Sequence, residues 1–273
     1  MLCIMWNGAL RADHFSGASI TYECTGGSMY NVYLDLYLDC AGTPITAQTI
    51  YFTNDCGVSF SLANLQYTLE EEVSPLCDAA LVNSTCNGGA LPGFRRYRFE
   101  TSLFLSPCNA WTISWRICCR NLMQNIAGTP GTYVEARLDN TGGICDNSPT
   151  FADGGIPYVC LGNELLYSPG ASDIDGDSMV FSLINARYYA PPPTSVNYVA
   201  GFTGTEPLPG MTIDPATGQL TFAPSVQGNY TVVIQVATYN AAGQLIGTVM
   251  RDLMFVAVAC NGTPPTTGGL SNA

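Results

Sequence analysis

Apolar and polar residues alternate with a period of two over much of the chain. From Val32 to Asp39, Val32, Leu34, Leu36 and Leu38 fall on one side, while Tyr33, Asp35, Tyr37 and Asp39 fall on the other. That is the pattern of a half-buried strand in an antiparallel sheet. The stretch 19–24 precedes it across Thr25-Gly26-Gly27-Ser28, a hairpin signal. Further strands are predicted over 49–53, 96–105, 110–119 and 132–138, separated by loops rich in Pro, Asn and Gly. In 110–119, Trp111, Ile113, Trp115 and Ile117 share one face, so both tryptophans are expected in a core. The same alternation sends Cys118 and Cys119 to opposite faces and predicts different bonding partners for them.

The run CDNSPTFADGGIP (145–157) carries the punctuation of a boundary between domains. Beyond it, strands are predicted over 178–183, 220–222, 230–239 and 247–258, with Tyr230, Val232, Ile234 and Val236 as the clearest inward face. No stretch of helical period exceeds two turns. The expectation is an all-β chain of two tandem disulfide-bonded β-sandwich domains, 13–150 and 158–260. They are followed by a linker-like tail over 261–273. Residues 1–12 read as the end of a truncated signal peptide cleaved before Asp13, or alternatively as an N-terminal strand.

Composition narrows the class. Of 273 residues, 47% are hydrophobic, enough to bury a core, and only 11% are charged. The net charge is −12, and all nine basic residues are arginines, so no basic stripe for nucleic acid exists. Arg95, Arg96 and Arg98 cluster and read as a charged strand edge or loop, with an anionic ligand site as the alternative. No run approaches the roughly 20 apolar residues of a membrane span. Twelve cysteines without a CxxC pair, and a single histidine, His14, argue against zinc and for disulfides in an oxidising compartment. Cys160 and Cys260 bracket the second domain and are expected to pair; Cys77 and Cys86, flanking a short loop, are the second expected pair. The same scarcity of histidine removes the base that nucleophilic catalysis needs. The run Glu70–Glu72 reads as a solvated face. No enzymatic role is expected.

The candidate chemistry lies in ASDIDGDSMVFSL (171–183). Asp173, Asp175 and Asp177 place three carboxylates on alternate positions around Gly176. Crowded carboxylates repel unless a hard cation sits among them, and an all-oxygen set suits Ca2+. The EF-hand pattern fails here, because its sixth position is Ser178 and its twelfth Ile184. Capping of backbone N–H groups by the Asp side chains is the competing use. Asp214 reads as a turn residue. Tyr188, Tyr189 and Tyr198 surround APPPTSVN (190–197), which could stack sugars or pack between domains.

Several segments resemble large secreted Bacteroidota surface proteins of the gliding-motility-associated, type IX secretion kind. They are ADHFSGASITYECTGGSMYNVYLDLYLDC (12–40), CNGG (86–89), WTISWRICCRN (111–121), YVEARL (133–138) and PYVCLGNELLYSPGASDIDGDSMVFSL (157–183). The resemblance implies a cadherin-like or immunoglobulin-like second module and an adhesin-like role. The functional expectation is a secreted or cell-surface structural or adhesion protein acting through protein or glycan contacts, or as a subunit of an extracellular filament. The alternative is a carbohydrate-binding module or accessory part of a secreted glycoside hydrolase. Expected partners are other surface proteins, glycans or copies of itself, with no nucleic acid and no membrane span.

Overall fold

The computed structural model describes residues 15–152 and 155–260; the predicted signal peptide or first strand, and the tail, lie outside them. The chain is all-β. The first part supplies β1 (Phe15–Gly26), β2 (Met29–Asp39), β3 (Gln48–Asn54), β4 (Ser59–Leu65), β5 (Tyr67–Glu72), β6 (Phe94–Phe104), β7 (Trp111–Ile117), β8 (Thr132–Leu138) and β9 (Thr150–Phe151). The second supplies β10 (Tyr158–Cys160), β11 (Leu165–Tyr167), β12 (Ala171–Ser172), β13 (Ser178–Leu183), β14 (Arg187–Tyr188), β15 (Thr194–Ser195), β16 (Thr212–Ile213), β17 (Leu220–Phe222), β18 (Gly228–Tyr239) and β19 (Leu245–Val258).

The main sheet runs β4-β3-β7-β8-β19-β1-β2-β6-β5. Its two end strands are one residue apart in sequence, and β4 touches β6. The sheet therefore folds over on itself. Inward residues of β1, β2 and β6 (Ile20, Tyr22, Val32, Leu34, Phe99) meet those of β3, β7 and β8 (Phe52, Trp111, Trp115, Val134, Ala136) in one buried cluster. Both tryptophans are buried as the alternation requires, and each finds an acceptor for its indole N–H, Ser106 O at 2.8 Å and Gln48 Oε1 at 2.9 Å. A second cluster gathers β13, β17, β18 and the far half of β19, including Phe181, Leu220, Val232, Ile234 and Phe255.

Strand β19 is the spine joining the two. By sequence it belongs to the second segment; by pairing it serves both. One edge runs antiparallel along β18, while the other meets β8 at 247–249, β1 at 251–253 and, in parallel, β10 at 256–258. Covered on both faces, it is buried almost throughout. The loop 118–131 reinforces the junction. Arg120, 1% exposed, makes a bidentate pair with Asp252, also 1% exposed, at 2.5 and 2.9 Å. Asn125, fully buried, donates to Pro207 O and Thr231 O and accepts from the Thr231 N–H.

The acidic run Glu70–Glu72 is part of an edge strand rather than a free solvated face. β5 pairs with β6, setting Glu70 and Glu71 near Arg95 and Arg96, with ion pairs of 2.6 Å each. Arg98 instead forks onto Asp35 across the β2–β6 pairing. The arginine cluster is thus a charged ladder at the sheet's edge.

Cys160 is bonded to Cys260. The expected Cys77–Cys86 bridge is not formed. Cys86 is bonded to Cys40, because the end of β2 lies beside the residue leading into β6, with the Cys40 N–H on Gly93 O at 2.9 Å. Cys77 is exposed and has no disulfide partner among the described residues. Cys118 and Cys119, expected to part, are bonded to each other. Strand β7 ends at Ile117, so the alternation that separated them no longer operates at 118–119. Cys56–Cys108 and Cys24–Cys145 complete the set among the described residues.

Candidate metal centre

The expected carboxylate trio is only partly assembled. Asp175 and Asp177 converge, but their third partner is Asp146, not Asp173. One ligand oxygen from each of Asp146, Asp175 and Asp177 can be chosen so that all lie within 4.8 Å of one another, a group that could hold a metal ion.

Local pairing explains the meeting. The short ladder of β9 and β12 sets Thr150 opposite Ser172. Extending that antiparallel register past Thr150 brings Asp146 opposite position 176, between Asp175 and Asp177. Gly176 has φ +80°, which an L side chain adopts with difficulty, so the turn between the two carboxylates is glycine's. Asp173 has another role. Its Oδ1 accepts the N–H groups of Asp175 and Asp177 at 2.9 and 3.2 Å, closing the turn from inside.

Asp146 is held from the other side. Its neighbour Cys145 is tied to Cys24 on β1. Asn147 Oδ1 accepts the Cys24 N–H at 2.8 Å, and Ser148 exchanges bonds with the Tyr22 backbone at 2.8 and 2.9 Å. Asn147 also reaches across, its N–H on Asp175 Oδ2 at 2.8 Å and its amide nitrogen on both Asp175 oxygens. These bonds leave the Asp175 carboxylate oriented before any ligand arrives.

The electrostatics are one-sided. Asp146 is 3% exposed, and its Oδ2 has no hydrogen-bond partner among the described residues. Burial first, then the nearby Asp177, Asp175 and Asp173 carboxylates, push its pKa up to about 8. Asp173 is raised too, again chiefly by burial. The negative field spreads. Burial, followed by Asp146, lifts the Tyr30 hydroxyl to about 12. Among the described residues, no ion pair joins an arginine to Asp146, Asp175 or Asp177.

Asp146 escaped the sequence reading because it lies in a segment marked only by loop punctuation. The signal available was its place directly after a cysteine, which anchors it. Elsewhere, Asp214 caps the N–H groups of Ala216 and Thr217 as a turn residue. Of the three tyrosines round 190–197, Tyr198 is structural, its hydroxyl accepting the Ala186 N–H at 2.8 Å. Tyr189 is 41% exposed and stacks on Tyr133. Neither a protein-family model, nor a curated protein, nor a solved structure matches this chain.

Proposed function

We propose that the chain is a secreted or cell-surface structural or adhesion protein whose loop junction at 145–177 is held by Ca2+, and that it acts through contacts with proteins, glycans or copies of itself. One observation carries the calcium reading: three carboxylates converge at Asp146, Asp175 and Asp177, one of them buried with an unpartnered oxygen and no cationic side chain paired with it. An all-oxygen donor set without histidine or thiolate favours a hard cation, and a loop site not built to strict octahedral geometry favours calcium over magnesium. The cation would join the end of the first segment to the β12–β13 turn.

The disulfides support an oxidising compartment. Among the described residues no helix is long and apolar enough to cross a membrane. A chain of locked sheets with a cation at a segment junction suits a load-bearing or spacing role better than turnover. The alternative, a carbohydrate-binding module or accessory part of a glycoside hydrolase, draws support from an aromatic cleft described below.

Calorimetry and thermal unfolding of the whole chain test the proposal. Binding is expected with a Kd of about 10⁻⁴–10⁻³ M, the range of extracellular calcium modules, and a midpoint that rises with calcium more than with magnesium. Absence of both heat and shift at millimolar calcium would remove it.

A further inference from the structure

A cleft of about 440 Å³ opens on the outer face of the sheet formed by β3, β7 and β8, lined by Tyr51, Arg116, Ile117, Cys118, Tyr188 and Tyr189. We infer that it binds the carboxylate of an acidic sugar, with Arg116 as the clamp. This goes beyond the calcium reading and does not depend on it.

Arg116 is the feature that needs explaining. Arg95, Arg96, Arg98, Arg120, Arg137 and Arg187 each form an ion pair with a carboxylate; Arg116 forms none among the described residues, in a chain of net charge −12. Its guanidinium carbon lies over two rings, 4.1 Å from the centroid of Tyr51 and 3.4 Å from that of Tyr189. Tyr189 is braced in turn by Tyr133, whose hydroxyl donates to Glu135 at 2.7 Å. A guanidinium held against two rings turns its N–H edge to recognition. That edge matches a planar carboxylate in a two-pronged hydrogen bond. Because the rings fix the group beforehand, little freedom is lost on binding.

The rest of the cleft decides the body of the ligand. Its volume exceeds what a small inorganic anion requires and falls in the range of organic-ligand sites. Ile117, the exposed Cys118 of the Cys118–Cys119 disulfide and the tyrosine edges offer apolar contact for the C–H faces of a sugar ring. An extended peptide is disfavoured. The strands beneath are already paired, Tyr51 opposite Ser114 and Arg116 opposite Tyr133, so no free strand edge is offered at this face. A uronic acid unit of a polysaccharide combines the required charge, size and faces.

The experiment is calorimetry of the full chain with tri-galacturonate in the presence of a chelator, which removes any contribution from calcium. The acid is expected to bind and its methyl ester, with the same rings but no charge, to bind about ten to a hundred times more weakly. Arg116→Gln should show the same loss for the acid while keeping the wild-type unfolding midpoint and calcium response. Arg116→Lys, which keeps the charge but not the fork, should fall between. Equal binding of acid and ester, no binding of either, or full binding by Arg116→Gln would overturn the inference. So would a tripeptide with a free C-terminus that binds more tightly than the uronate. The acid–ester comparison needs no variant, so it stands even if a substitution impairs folding.

Discussion

Among the buried carboxylates of the described residues, Asp252 and Asp146 have opposite surroundings. Asp252 on β19 faces Arg120 in a bidentate pair, with both residues 1% exposed. Asp146 faces Asp175 and Asp177, and its Oδ2 has no partner among the described residues. The first charge is answered within the chain, so its geometry is complete and its role is to join the loop 118–131 to the central strand. The second has no cationic partner among the described residues. Its carboxyl meets the deficit by holding a proton up to a pKa of about 8, or by taking a cation. Burial alone therefore does not mark a ligand site; burial without an internal counter-charge does.

The largest effect expected from breaking this comparison lies at the paired site. Arg120→Met strands Asp252 in the interior and should cost about 3–5 kcal/mol in denaturant unfolding. Replacing both partners, as in Arg120→Met with Asp252→Leu, should recover most of that loss, because the uncompensated charge is gone. A double variant as unstable as the single one would show that shape, not charge pairing, is what the site supplies.

Next comes the covalent tie behind the open site. Cys24→Ser with Cys145→Ser removes a link spanning 121 residues and should cost about 2–5 kcal/mol. Because Cys145 precedes Asp146, the same variant should also weaken the calcium response. Removal of Cys160–Cys260, which closes a loop of similar length but lies in another part of the fold, should lower stability and leave that response alone. Equal effects on calcium from both would mean that stability in general, and not the placement of Asp146, governs binding.

Asp146→Asn reverses the sign seen at Arg120. Without metal at about pH 8.5 it should raise stability by on the order of 1 kcal/mol, or about 2–4 °C in Tm for a chain of this size, and it should abolish the calcium shift. The pH dependence follows from the direction of the perturbation. The folded chain keeps the Asp146 proton to about pH 8, while the unfolded chain releases it near ~4. The folded state thus binds the extra proton over that window. Stability from this group is full below about pH 4 and is lost as pH rises to about 8. Calcium displaces the proton, so the calcium-induced rise in Tm should grow from pH 5.5 to pH 8.5 in the wild type and stay absent in Asp146→Asn.

The two regions were unequally legible in the sequence. Strand alternation is local, so β8, β13 and β17 fall where the pattern placed them, and Trp111 and Trp115 point inward. Asp175 and Asp177 were equally visible, since one turn holds both. Asp146 was not, because its meeting with them depends on the two-residue ladder of β9 and β12, too short to leave a periodic trace. Arg120 and Asp252 are 132 residues apart, and Asp252 sits in a run that alternation alone would half expose. The expected Cys77–Cys86 pairing failed for the same reason, while Cys160–Cys260 formed as expected. Cys77 and Cys86 are near in sequence, but Cys86 is brought to Cys40 by the β2–β6 pairing. What a chain places across strands shows in its sequence only when the strands themselves are long enough to be read.

The smallest effect sharpens the role of burial. Glu71 and Arg96 form a 2.6 Å pair at the sheet's edge, with side-chain exposures of 41% and 18%. This pair is matched internally, as Asp252 and Arg120 are, but water already solvates its carboxylate. Glu71→Gln should therefore cost less than ~1 kcal/mol, and the difference from wild type should shrink further at high salt. A loss comparable to that of Arg120→Met would mean that having a partner, rather than being removed from water, sets the energy scale. The unanswered charge at Asp146 would then be a weaker sign of a bound cation, since the force of that sign comes from the cost of keeping a carboxylate dry.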